Sequence, residues 1–140
     1  MVFRQPEKEV FKVCEELNVG FVAYSPLGNG FLSGKYTLAT KYAEGDFRNN
    51  MGRFNPEVMK RNQALLDLVQ EIAERKNATS AQIVLAWEIN QKDWIVPIPG
   101  TTKIHRLEEN LGAMEVELTE QEMAAINQAL DNLDIDETHF

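Results

Sequence analysis

Apolar residues recur along this chain in two rhythms. Val10, Val13, Cys14 and Leu17 fall at i, i+3, i+4 and i+7, and predict a helix over 6–17. Leu65, Leu68, Val69, Ile72 and Ala73 repeat that period after Asn55-Pro56, a capping residue and a first-turn proline. A third helix opens at the capping box Thr79-Ser80-Ala81-Gln82 and turns Ile83, Ala86 and Trp87 inward. A last one opens at the box running from Thr119 to Glu122, with Met123, Ile126 and Leu130 inward. Two short, nearly continuous apolar runs have the other rhythm: Val19-Gly20-Phe21-Val22-Ala23-Tyr24 and Trp94-Ile95-Val96-Pro97-Ile98. Runs of that kind predict parallel strands buried on both faces. Residues 35–55 show no period, and Gly45, Asp46, Asn49, Asn50 and Gly52 predict a long flexible loop.

Strands alternating with helices predict an α/β fold with a parallel sheet. Two strands are too few to close one. A complete (β/α)8 barrel needs roughly 250 residues, and an isolated parallel pair leaves both edges open. The chain therefore reads as part of a domain, helix-rich with two short parallel strands. Its open edges predict a homo-oligomer or a missing N-terminal half.

Composition narrows the setting. At 44% hydrophobic over 140 residues the chain is ordinary for a globular unit. No apolar run approaches the ~18 residues of a membrane span. Residues 1–8 have no apolar signal-peptide core. A single cysteine, Cys14, predicts a reducing, cytoplasmic setting, and its place on an apolar stripe predicts packing rather than reactivity. A net charge of −8 argues against a nucleic-acid partner. No cation follows Arg106, while that stretch includes Glu108, Glu109, Glu115, Glu117, Asp131, Asp134, Asp136 and Glu137. Lys103 and Arg106 thus form a positive island beside acidic sequence.

Ligands of parallel α/β folds bind beyond the carboxyl ends of strands. After the second strand, Gly100 permits a tight turn, and Thr101 or Thr102 can cap the helix that follows. Free N–H groups there suit an anion. Ile104, Leu107 and Leu111 form the face expected to pack inward. Thr102, Arg106, Glu109 and Asn110 share another face, with Lys103 in the first turn. Such a set suits a phosphorylated nucleotide, although spacing alone fits an ordinary capped surface helix equally well. At the other strand end Tyr24 could offer its ring to a flat ligand, or simply close the core. His105 and His139 read as surface residues. The sequence has no G-x-G-x-x-G, P-loop, metal-ligand spacing or G-x-S-x-G, and spacing identifies no catalytic centre.

Two segments together resemble the aldo-keto reductase family. The stretch from Phe21 through Ser25-Pro26-Leu27-Gly28-Asn29-Gly30 to Gly34-Lys35-Tyr36 is similar to that family's seventh strand and following loop. Ile95 to Thr102, continuing through Glu109-Asn110-Leu111-Gly112-Ala113, is similar to its eighth strand and cofactor helix. Asp46-Phe47-Arg48, Arg53-Phe54 and Leu118-Thr119 fit the same order. The resemblance implies a partial domain over 1–140: the seventh and eighth βα units of a (β/α)8 TIM barrel plus a C-terminal helix.

It also implies NADP as cofactor. Tyr24 would stack on the nicotinamide, and Ser25, Leu27, Asn29 and Gly30 would line the pyrophosphate. Gly100, Thr101, Thr102, Lys103 and Arg106 would hold the 2′-phosphate region, and Glu109 and Asn110 the adenine. The family's Asp, Tyr, Lys and His tetrad sits on earlier strands, and Tyr24, Tyr36 and Tyr42 occupy other positions. The implied role is the cofactor-binding portion of an oxidoreductase that reduces aldehydes or ketones. A non-catalytic NADP-binding or interaction module, and an inactive truncation fragment, are the alternatives.

Overall fold

The two apolar runs form strands β1 (Phe21–Tyr24) and β2 (Ile95–Ile98). In a computed structural model that describes residues 1–132, they pair in parallel, with Phe21 opposite Ile95 and Tyr24 opposite Ile98. They are the only sheet among the described residues. The expectations that involve Asp134, Asp136, Glu137 and His139 lie outside those residues.

Local chemistry sets most of the helices. The helix expected over 6–17 is two helices rather than one, α1 (Gln5–Lys8) and α2 (Val10–Leu17), and the whole apolar stripe lies on α2. Glu9, at φ −128° and ψ −50°, leaves the helical region between them. Asn18 ends α2 in the left-handed conformation, a stop that Asn tolerates. Asn55 caps α3 (Pro56–Arg61) by accepting the Glu57 N–H at 2.9 Å. Asn62 then breaks the pattern before α4 (Gln63–Arg75), its buried amide donating to the Val58 carbonyl at 2.8 Å. Both predicted capping boxes form, at Thr79/Gln82 for α5 (Ser80–Ile89) and at Thr119/Glu122 for α7 (Glu120–Asp131). Between these two helices lie β2 and α6 (Ile104–Leu111). Residues 35–55 contain two short 3-10 turns, Phe47–Asn50 and Gly52–Phe54.

The core sits among α4, α5, α7 and the 3-10 segment Gly28–Ser33. Phe31, Ile72, Ile83, Trp87 and Ile126 are its fully enclosed centre. Trp87 uses its polar edge as well, donating from Nε1 to Asn127 Oδ1 at 3.0 Å.

Elsewhere the expected burial fails. Of the α2 stripe only Cys14 is buried, and Val10, Val13 and Leu17 face solvent. The strands are covered on one face, not two: Ile95 is enclosed, whereas Val22, Tyr24, Val96 and Ile98 are each more than half exposed. On α6, Ile104, Leu107 and Leu111 do not pack inward, and Ile104 is 77% exposed. Periodicity shows which face is apolar, but burial also needs something to lie against it. Nothing among the described residues covers these faces.

Candidate functional site

Because Tyr24 is level with Ile98, the segments that follow β1 and β2 open onto the same end of the sheet. The first is a tight, unusual turn. Ser25, Gly28, Asn29 and Gly30 all have positive φ (50°, 56°, 59° and 94°). Left-handed Ser is uncommon and marks a turn held by its surroundings. Here Gly28 N–H donates to Ser25 O at 2.9 Å, and Gly30 N–H to Leu27 O at 3.0 Å. A Cβ on Gly30 would lie 2.6 Å from the Tyr36 ring, so ring and backbone can meet only at glycine.

Two arginines brace this turn from below and beside it. Arg53 is buried and donates to Asn29 Oδ1 at 3.4 Å. Desolvation lowers its pKa, opposed by the Tyr24 hydroxyl. Arg48 donates from Nε to Asn29 O at 3.3 Å and from Nη1 to both Asp46 oxygens, at 3.0 and 2.8 Å. Its guanidinium also lies 4.9 Å from the ring centroids of Tyr36 and Phe47. Such stacking leaves a cation ordered but still charged.

The segment after β2 is looser. Thr101 Oγ1 accepts the Lys103 N–H at 3.2 Å just ahead of α6. Lys103 itself takes the N-cap position without a side-chain bond, so neither threonine caps the helix as expected. Around Gly100 there is open space. On α6, Arg106 pairs with Glu109 one turn on. Gln82 Nε2 on α5 donates to the Glu109 carbonyl at 2.9 Å and ties the far end of the helix down.

Between the two segments runs a cleft of about 510 Å³. One wall carries Ser25, Leu27, Asn29 and Gly30; the other carries Gly100, Thr101, Arg106, Glu109 and Asn110. An adjoining hollow of about 500 Å³ shares Gly100, Thr101 and Arg106 and adds Thr102 and Lys103. Tyr24 is not on the cleft; it stands at the strand end on the open face of the sheet, beside Ser25. Lys35, Tyr36, Phe47 and Arg48 line the cleft too, and sequence spacing gave none of them a role. The signal available for Arg48 was Asp46 two residues earlier in a polar loop, an arrangement that folds back on itself.

Electrostatically the site is the reverse of the chain. Lys35, Arg48, Lys103 and Arg106 gather around two joined hollows in a molecule of net charge −8. Among the described residues no group of three His, Cys, Asp or Glu could hold a metal ion. No helix there is long and apolar enough to cross a membrane.

The sequence profile of the Aldo/keto reductase family matches residues 1–131. The chain belongs to the aldo-keto reductase family. An aldo-keto reductase of Schizosaccharomyces pombe, yakc, designated NADP(+), is 41% identical over 131 residues. That match covers 94% of this chain and 38% of the yeast protein. A probable aldo-keto reductase of Glycine max is 38% identical over 127 residues, 91% of this chain and 36% of the plant protein. The chain thus spans little more than a third of the length of these curated relatives.

Solved structures agree on the fold. A thermostable aldo-keto reductase superposes with a TM-score of 0.63 at 28% identity, covering 90% of this chain and 35% of its own. The glycerol dehydrogenase of Gluconobacter oxydans superposes at 0.83 with 24% identity, over 95% of this chain and 41% of its own. This aldo-keto reductase chain therefore has the fold of part of a (β/α)8 barrel, with two parallel strands and their helices.

Proposed function

We propose that the cleft binds an NADP-type dinucleotide, as the cofactor-binding portion of an oxidoreductase that reduces aldehydes or ketones to alcohols. One observation carries this reading. Two strand ends roughly 70 residues apart converge on a single cleft whose cations stand out against an acidic chain. The donor set fits a ligand with several phosphates. Arg48 is held in place on one flank, Lys103 and Arg106 stand at the mouth of α6, and the turn 25–30 presents backbone and small side chains. The NADP(+) in the yeast relative's name points to the same ligand class.

In this reading Ser25, Leu27, Asn29 and Gly30 line the pyrophosphate. Gly100, Thr101, Thr102, Lys103 and Arg106 take the 2′-phosphate region, and Glu109 and Asn110 the adenine edge. Tyr24, exposed beside the cleft, offers its ring face to the nicotinamide. The bound nicotinamide supplies hydride; the residues of this chain bind and orient. Proton donation belongs to the family's Asp, Tyr, Lys and His tetrad, on strands before the segment matched here. Binding is thus assigned to this chain, and reduction to a longer protein.

Titrating NADPH against the 140-residue chain, by calorimetry or quenching of protein fluorescence, tests the reading. Saturable binding is expected, and Arg106→Ala should weaken it about ten- to a hundredfold, the range of one charge-assisted hydrogen bond. No NADPH-dependent carbonyl turnover is expected from this chain. Absence of binding, or turnover by a pure preparation, overturns the assignment.

A second reading, a non-catalytic module that recruits a partner, is favoured by the exposed apolar face of Val22, Val96 and Ile98. Such a face suits further β/α units, whether from the rest of a barrel or from another copy.

A further inference from the structure

Arg53 braces the turn after β1, yet its own charge is left unanswered. It is 8% exposed, and a guanidinium does not give up its proton in a protein, so burial cannot discharge it. Its one hydrogen bond runs from Nη1 to the neutral amide oxygen of Asn29, at 3.4 Å. Among the described residues no carboxylate pairs with it. A buried charge without its opposite is costly.

The same side chain lies in the wall of a hollow of about 110 Å³ between the two strands, α1, α2 and α5. This hollow is not the cleft. Gly28 is in its wall, whereas Asn29 and Gly30 line the cleft. Nη1 lies 3.5 Å from where a Gly28 Cβ would stand, which puts the charged end of Arg53 beside the hollow. Phe11, Phe21, Trp87 and Ile95 make much of the remaining wall apolar. Its two carboxylates already have cations: Glu88 takes the Met1 ammonium at 2.9 Å, and Glu7 takes Arg4 at 2.8 Å. Arg53 is therefore the lining charge with no opposite charge, and the hollow is short of one negative charge.

We propose that this hollow is a second binding site, for a short aliphatic carboxylate that pairs with Arg53 and lays its alkyl end against the apolar wall. A planar guanidinium matches a carboxylate in shape as well as charge, and the pairing is stronger where water is scarce. Water in the same place would satisfy N–H groups but leave the charge unmatched. The space is a few times the ~30 Å³ that one water takes in the liquid, which suits an acid of roughly four or five heavy atoms. The proposal does not rest on the dinucleotide reading, since the two sites lie in separate hollows.

The test is a titration of the labelled 140-residue chain with formate, acetate and propionate, at fixed pH and ionic strength, followed at the Arg53 Nε–H resonance. A saturable shift is expected, with a Kd of about millimolar order for so small a ligand. Affinity should rise from formate to propionate by up to about fourfold per carbon, as each one leaves water for the apolar wall. Propionamide, which has nearly the same shape without the charge, should not bind. Arg53→Met should abolish propionate binding, read on the amide resonances of Ala23 and Gly28. Ala23→Leu keeps Arg53 but fills part of the hollow, so its expected loss of binding decides the matter even if Arg53→Met does not fold. A shift that never saturates, or an affinity that ignores chain length, means an ion on the surface only and overturns the site. Binding of propionamide as tight as propionate, or propionate binding that survives Ala23→Leu, overturns it as well.

Discussion

One half of this molecule is packed and the other is open. In the packed half, α4, α5 and α7 enclose Ile72, Ile83, Trp87 and Ile126 to 2% exposure or less. In the open half, α2, α6 and the strands present equally apolar residues to solvent, with Leu17 at 66% and Val22 at 60%. The residue types hardly differ, so the contrast lies in what has been brought against them. The cleft runs along the boundary: its turn after β1 is braced by buried Arg53, and its other wall is a helix with no buried residue.

The largest test of this contrast is a pair of truncations. Trp87→Ala should cost about 3–5 kcal/mol, as large-to-small changes in a packed core do, and should abolish a cooperative thermal transition. Leu107→Ala, on the open half, should stay within about 0.5 kcal/mol by the same measurement. Equal losses would mean that the two halves are not distinct. A smaller effect concerns the open face itself. Sedimentation velocity over a range of concentrations should show the chain self-associating, and Val96→Lys should shift it toward monomer while changing its melting temperature little. A monomer at every concentration counts against that face as an interaction surface.

The smallest effect belongs to the edge of the packed half. Burial pushes the Glu122 carboxyl up, but the Thr119 backbone N–H, Lys76 and the Thr119 hydroxyl together hold it below the usual carboxylate range. Lys76 Nζ lies 2.9 Å away. A depressed folded-state value stabilises fully above the unfolded carboxylate's pKa, and that contribution fades as pH falls through the folded value. Glu122→Gln should therefore be less stable than wild type at neutral pH, by under about 1 kcal/mol. In denaturant titrations the difference should shrink to nothing in acid; a constant difference would rule out the charge as its source.

What could be read in the sequence was local. The boxes at Thr79/Gln82 and Thr119/Glu122 each lie within four residues, and both form as written. The parallel pairing of the two apolar runs followed from their type and from the helices between them. The break at Glu9 was hidden because the stripe begins only at Val10, just beyond it, and periodicity records side chains rather than backbone angles. The exposure of Ile104 and Leu111 was hidden for another reason: an amphipathic pattern says nothing about whether its partner is present. At the candidate site, the residues around both strand ends stood out through strand and helix punctuation. Arg53 and Tyr36 did not, since their contacts with Asn29 and Gly30 come from a stretch without period.

The parallel pairing of β1 with β2 also has a kinetic side. Its register joins positions roughly 70 residues apart, and closing so long a loop is entropically costly before anything else is formed. The helices between the strands are local structures with their own caps, and they bring the strand ends together once they dock on one another. Contacts between distant positions form slowly and late. The strand pair should therefore be among the last contacts made as the chain folds, and the cleft above it the last feature to take shape.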